Sequence, residues 1–328
     1  MRIAGITIAS EKWPLREPFR FSGFTVEALD TVHVAVTDGV HHGQGEGVIP
    51  VVFDLTLAEA VEALEAARAR ILAGEDAWAV CASMQPNAAR NALDCALWDL
   101  ACKASRRSIW DLAGLTTAPQ SLEVDQSIGL ASPAEMAVTA RASRHGVLKI
   151  KLDRTLVTER LQAVRAARPD ATIIVDANQA WSRADLETHL PALAEVRISM
   201  IEQPLRVGLD HELAGLARPI PIYADESCHT RNDLQRLAPF YNGINIKLDK
   251  SGGLTEALAL ARQATDTGMG LMVGCMAGTS LSMAPAYVVA SLCNWADLDG
   301  PLLLASDRAS PMTYRNGRLE SFKADLWG

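Results

Sequence analysis

Hydrophobic positions change their period near residue 120 of this chain. Before it, RIAGITIASEKWPL, TVHVAVTDG and GQGEGVIP alternate apolar and polar residues, as half-buried antiparallel strands with Gly-rich turns do. Two segments then switch to helical spacing. LAEAVEALEAARARILAG ends on a glycine, and NAARNALDCALWDLACKAS places Leu93, Ala96, Leu97 and Leu100 on one face. Strands followed by helices predict a small α+β unit over residues 1–115. GQGEG lacks the G-x-G-x-x-G spacing of a nucleotide loop and has no clear helix after it, so it reads as a turn.

Beyond residue 120 short apolar runs recur, each followed by a helical stretch. The runs are SLEVDQSIG, VLKIKLD, TIIVDAN, ISMIEQP, IPIYADES, GINIKLD, GLMVGCM and WADLDGP. One polar residue near the end of each run marks a regular interval: Lys151, Asp176, Glu202, Asp225 and Lys247, then Asp297 two intervals on. Ser132 and Pro133 give one of the intervening helices an N-cap and a first turn. Eight strands alternating with helices predict an α/β fold: a closed (β/α)8-type barrel, a modified TIM barrel, over residues 116–305. A doubly wound open sheet is the alternative, and it lacks its phosphate-binding glycine loop here. Residues 306–328 are expected to return to the N-terminal capping domain.

Strand parity sorts the charged residues. In VLKIKLD, Leu148, Ile150 and Leu152 share one face, while Lys149 and Lys151 share the other. GINIKLD likewise puts Asn245, Lys247 and Asp249 opposite Ile244, Ile246 and Leu248. WADLDGP pairs Asp297 with Asp299. With the apolar faces turned to the helices, these charges look into the barrel at the C-terminal ends of the strands, where barrel active sites lie. A single strand-end carboxylate reads equally as a helix cap or a surface ion-pair partner. Three in succession, Asp176, Glu202 and Asp225, flanked by lysine strands, are poorly explained that way. Oxygen donors without Cys or His at the same positions suit a hard divalent cation, Mg²⁺ first and Mn²⁺ second.

Composition narrows the partners. The net charge is −8 and no Lys/Arg block is present, which argues against a nucleic-acid surface. No long apolar run marks a membrane span or a signal peptide. The six cysteines form no C-x-x-C pair, as expected of reduced thiols in a cytoplasmic protein.

In combination, K-x-K (Lys149, Lys151), V-D-A-N (Asp176), I-E-Q-P (Glu202), A-D-E-S (Asp225) and I-K-L-D-K-S-G-G (Lys247) resemble the enolase superfamily, in its muconate-lactonizing-enzyme subgroup. WPLREPF and NAARNALDCALWDL are similar to that family's capping domain. DLDGP, ADESCHTRNDL and VGCMAGTS resemble the dipeptide epimerases, L-Ala-D/L-Glu epimerase above all. The resemblance implies a Mg²⁺-dependent isomerase that moves a proton at the α-carbon of a dipeptide's C-terminal residue. Asp176, Glu202 and Asp225 then hold the metal, and Lys149 steadies the developing charge. Lys151 and Lys247 flank the α-carbon as base and acid, with near-neutral amine pKa values. Asp297 and Asp299 receive the substrate's α-ammonium, and Ser127 and Cys275 line the pocket. A homo-oligomer is also implied. Glutamate-selective relatives carry an arginine in the capping loop. Here Phe24 and Thr25 stand at that place, with Arg20 a few residues earlier as the candidate replacement, so an apolar second residue is a further expectation. A cycloisomerase or dehydratase of the same fold, such as an o-succinylbenzoate synthase-like lyase, and a non-catalytic small-molecule binder are the alternatives.

Overall fold

The computed structural model describes residues 2–21, 23–116 and 118–328. Three antiparallel strands open the chain, β1 (Gly5–Phe21), β2 (Phe24–Thr37) and β3 (His42–Val48), with β2 in the middle. Alternation places Val32, Val34 and Val36 in a core shared with the helices α1 (Leu57–Leu72), α2 (Ala77–Ser83) and α3 (Ala88–Ser105). A capping box starts α1: the Thr56 hydroxyl accepts from Glu59 N, and the Glu59 carboxylate accepts from Thr56 N.

GQGEG is not a turn. It lies within β3, and Gly43, Gly45 and Gly47 all face α3. A Cβ on Gly45 would sit 2.2 Å from the Ala92 carbonyl oxygen, so these glycines let strand and helix approach at backbone contact. Alternation continues through them, but one face carries hydrogen atoms where a strand normally carries side chains.

The run SLEVDQSIG divides in two. β4 (Ser121–Glu123) joins a small antiparallel sheet with the C-terminal hairpin β13 (Tyr314–Arg315) and β14 (Arg318–Glu320). Eight parallel strands then build the barrel: β5 (Asp125–Ile128), β6 (Val147–Lys151), β7 (Thr172–Asp176), β8 (Ile198–Glu202), β9 (Ile222–Ala224), β10 (Gly243–Lys247), β11 (Gly270–Gly274) and β12 (Trp295–Ala296). They pair in sequence order, so β5 and β12 form the two edges of a nearly closed sheet. Leu148, Ile150, Ile173, Val175, Ile244 and Ile246 face outward into the main core with the helices. Val147, Ile174, Met200, Tyr223 and Met272 form a separate apolar cluster inside, which fills the barrel below the charged layer.

The C-terminal segment packs against the cap. Trp327 is fully buried and donates its Nε1–H to Cys95 O of α3, and Gly328 N donates to Asp99 Oδ1. Arg308 pairs with both Glu11 of β1 and Glu46 of β3 at 2.5 Å. No helix among the described residues is long and apolar enough to cross a membrane.

Candidate active site

Each site side chain is aimed by the strand that carries it. Lys149 and Lys151 occupy inward positions of β6, two residues apart, and Asp176 and Glu202 end β7 and β8. Asp225 follows β9, and Lys247 ends β10. Three strands, β7 to β9, separate β6 from β10 in this eight-stranded sheet, so Lys151 and Lys247 rise from opposite walls. The chain turns sharply behind the carboxylates: Asn178, Gln179 and Gln203 all adopt positive φ, at 41°, 67° and 31°. Such backbone is costly outside glycine and concentrates where side chains must be held in place.

The lysines and carboxylates interlock. Lys151 Nζ lies 2.6 Å from Asp176 Oδ2, and Lys247 Nζ lies 2.7 Å from Asp225 Oδ2. The fully buried Lys149 reaches Asp297 Oδ2 at 2.5 Å, Glu202 Oε2 at 2.8 Å and Asp176 Oδ2 at 3.3 Å. Burial alone pushes Asp225 up, but Lys247 and Lys250 outweigh it and hold its carboxyl well below the usual range. Glu202 goes the other way, to about 7, through burial and the charge of Asp176. Burial would lower Lys247, yet Asp225 holds its ammonium above the ordinary lysine value. Its carboxylate neighbour sets the direction.

The site opens into a cleft between the barrel mouth and the cap. Lys151, Lys247, Asp225, Ser127, Cys275, Asp297 and Asp299 all reach it. Ser127 N donates to Asp299 Oδ2 at 2.7 Å, and Ser127 Oγ approaches Asp297 Oδ1 at 3.5 Å. Lys149 counters the effect of burial at Asp297 and holds it below the carboxylate range, whereas burial and the Asp297 charge raise Asp299 to about 7. Burial, then Asp297 and Asp299, keep the Cys275 thiol far above its usual pKa, so it is a neutral wall rather than a nucleophile.

Arg20 is outside the cleft. Phe19 and Phe21 line it, and the intervening Arg20 points to the opposite side of β1 and does not reach the substrate space. Arg16 donates to Leu304 O instead. Phe19, Phe21, Val26, Leu29, Ile49 and Val51 make the cap side of the cleft apolar, and the Phe21 ring lies 5.7 Å from Lys151 Nζ. Ser22 falls outside the described residues. Asp249 also leaves the barrel mouth. The chain becomes helical at Leu248, which swings Asp249 to the cap, where it accepts from Val48 N and Asn91 Nδ2.

Sequence reading gave no role in the site to five polar residues that the fold gathers here. Lys250 pairs with Asp225 Oδ1 at 2.6 Å, and Asn245 Nδ2 donates to Glu202 Oε1 at 2.7 Å. Glu226, next to Asp225, lines the cleft with Asn178; burial and the Asp225 charge raise it to about 8. Asp125 lies beneath Ser127 on β5. Asn245 shares the inward parity of Lys247 and was the most legible of them.

Comparison with known proteins fits this geometry. Residues 3–114 match the family described as mandelate racemase/muconate lactonizing enzyme, N-terminal domain, and residues 132–321 match the enolase C-terminal domain-like family. The chain belongs to the enolase superfamily. It is 39% identical to the L-Ala-D/L-Glu epimerase of Escherichia coli K12 over 318 residues, covering 96% of this chain and 98% of that one. It is 44% identical to an N-acetyl-D-glutamate racemase of Pseudoalteromonas over 246 residues, 75% of this chain and 78% of that protein. An enolase family member from Agrobacterium tumefaciens, described as homologous to dipeptide epimerases and bound to sodium and L-Ala-L-Glu, superposes with a TM-score of 0.95. That pair is 42% identical and covers 98% of this chain and 99% of the other. Other similar structures are dipeptide epimerases complexed with Mg and a dipeptide.

Proposed function

We propose that this superfamily member is a Mg²⁺-dependent dipeptide epimerase, an isomerase that inverts the α-carbon of a dipeptide's C-terminal residue. The observation that carries this reading is the pair of lysines on opposite walls of the cleft, each beside a carboxylate of the acidic triad. An α-carbon held between them offers one face to each amine. One lysine takes the proton as neutral amine, and the other, as ammonium, returns a proton to the opposite face, which inverts the centre.

Asp176, Glu202 and Asp225 fit a hard cation: all are buried oxygen donors, with no Cys or His among them. These three carboxylates would hold Mg²⁺, which would supply positive charge beside the substrate carboxylate and so make the adjacent C–H more acidic. Lys149 adds a fixed ammonium beside the same triad. Asp297 and Asp299 face the end of the cleft where a free α-ammonium meets two carboxylates. Phe19, Phe21, Val26 and Ile49 are left to receive the second side chain. Among the described residues no arginine lines that part, so a substrate carboxylate there would lose its hydration without a partner. An apolar second residue fits best.

A dipeptide library incubated with enzyme and Mg²⁺ in D₂O, read by mass shift and chiral analysis, tests the reading. L-Ala dipeptides with aliphatic or aromatic second residues should gain one deuterium and epimerise faster than L-Ala-L-Glu. No label in any dipeptide would favour a lyase of this fold. Preference for L-Ala-L-Glu would overturn the apolar subsite while leaving the reaction intact.

A further inference from the structure

Asp125, Asp297 and Asp299 form a buried triangle in which one oxygen of each lies within 4.8 Å of the others. Their partners are unequal. Asp297 has the Lys149 ammonium, and Asp299 has the Ser127 amide. Asp125 is 2% exposed, and neither of its carboxyl oxygens has a donor pointed at it. A buried ionised carboxylate without a donor, beside two other carboxylates, is among the costliest arrangements a fold can hold. A carboxyl group avoids that cost by keeping its proton, and it then becomes a donor. The groups facing Asp125 in the triangle are acceptors.

We propose that Asp125 is a neutral carboxylic acid that donates its proton to Asp297, and that this hydrogen bond positions the carboxylate pair receiving the substrate's amino terminus. The inference rests on the dipeptide reading above for the identity of the ligand, but not for the state of Asp125. Burial first, then the charges of Asp297 and Asp299, drive the Asp125 pKa well above the carboxylate range, in keeping with its missing donors. A carboxylic acid kept protonated at neutral pH to serve as a donor is an established device of enzyme sites.

The arrangement assigns separate jobs to the three acids. Lys149 holds Asp297 Oδ2, Ser127 N holds Asp299 Oδ2, and Asp125 supplies a donor from beneath. Asp297 and Asp299 line the cleft and Asp125 does not, so Asp125 acts through them and is a positioning residue.

Infrared difference spectra of the Mg²⁺-loaded protein, wild type minus Asp125→Asn, test the state of the group directly. A protonated-carboxyl C=O band lost in the variant is expected. No such band, or loss of a carboxylate band instead, would overturn the proposal. Kinetics test the role. Asp125→Ala should raise KM for a free dipeptide about tenfold or more with kcat within about threefold, and leave KM for the N-acetylated dipeptide little changed. Asp125→Asn, which keeps a donor in the same place, should bring KM back towards the wild-type value. If Asn fails as badly as Ala, the charge of Asp125 is what matters and the proposal falls. A second Mg²⁺ equivalent in calorimetry that disappears in Asp125→Asn would place a cation in the triangle, and the neutral acid would again be ruled out. Circular dichroism and thermal melts of both variants separate these effects from misfolding. If the wild type epimerises no dipeptide, the functional reading fails, and the infrared measurement still decides the state of Asp125.

Discussion

Lys149 and Asp297 stand 2.5 Å apart, Nζ to Oδ2, with both side chains buried. The same ammonium lies 2.8 Å from Glu202 Oε2. It therefore joins the triad proposed for the metal to the pair proposed for the substrate's amino terminus. Lys149→Met leaves Asp297 and Glu202 without that charge in a dry environment. The metal-free protein should lose about 3–5 kcal/mol of stability, as broken buried ion pairs do. Urea denaturation measures it. A loss below about 1 kcal/mol would mean that neighbouring protons compensate for the missing charge.

Lys151→Ala and Lys247→Ala should each abolish epimerisation while differing in what survives. Each variant keeps one amine, on one wall of the cleft. It should still exchange the α-hydrogen of one substrate epimer with D₂O, and the two variants should choose opposite epimers. The loss of epimerisation should be at least roughly 10²–10⁴-fold. Normal inversion by both variants in an NMR exchange assay would rule out the two-base arrangement.

Stability should fall as pH rises from about 4 to 7, through Asp249 at the junction of cap and barrel. Burial raises its carboxyl from the ordinary 3.8 to about 7 despite donors from Asn91 and Val48. Between those values the unfolded chain has released the proton and the folded protein still binds it. The native state thus binds more protons there, and a rise in pH favours unfolding. Burial raises Asp94, bonded to Thr255 across the same junction, to about 6 with the same sign. Asp249→Asn should flatten the decline of the melting temperature over this window. An unchanged slope would show that Asp249 ionises normally.

Gly45→Ala should destabilise the cap without touching the cleft. Its Cβ would meet the Ala92 carbonyl oxygen at 2.2 Å and Ala96 N at 2.7 Å, so β3 and α3 must move apart. A cost of at least about 1–3 kcal/mol is expected by chemical denaturation. Wild-type stability in this variant would mean that the close approach of strand and helix is not needed.

The alternation of apolar and polar residues made the barrel legible because a strand buried on both faces has little freedom. Leu148 and Ile150 must meet the helices, so Lys149 and Lys151 must meet the interior. The same rule carried Asp176, Glu202 and Lys247 to one rim. It failed where the strand ended earlier than the apolar run. At Leu248 the backbone turns helical and parity no longer applies, so Asp249 faces the cap. SLEV reads as barrel from sequence because its pattern does not reveal which sheet it joins; β14, nearly two hundred residues later, decides that. Glu226 and Lys250 lie in loops or short helices, where no period fixes direction. Asp125 obeys strand parity, but its meaning depends on having no donor, a property of three-dimensional packing alone.

Strands β5 and β12 are the two edges of the barrel sheet, and the Ser127 amide crosses that seam to Asp299. The backbone of one edge is thus fastened to the other by a side chain that also faces the cleft. Whatever engages Asp299 from the cleft side also alters the fastening. A change in the exchange rate of the Ser127 amide hydrogen is therefore the expected signature of a ligand seated on Asp299, readable without turnover or an attached label.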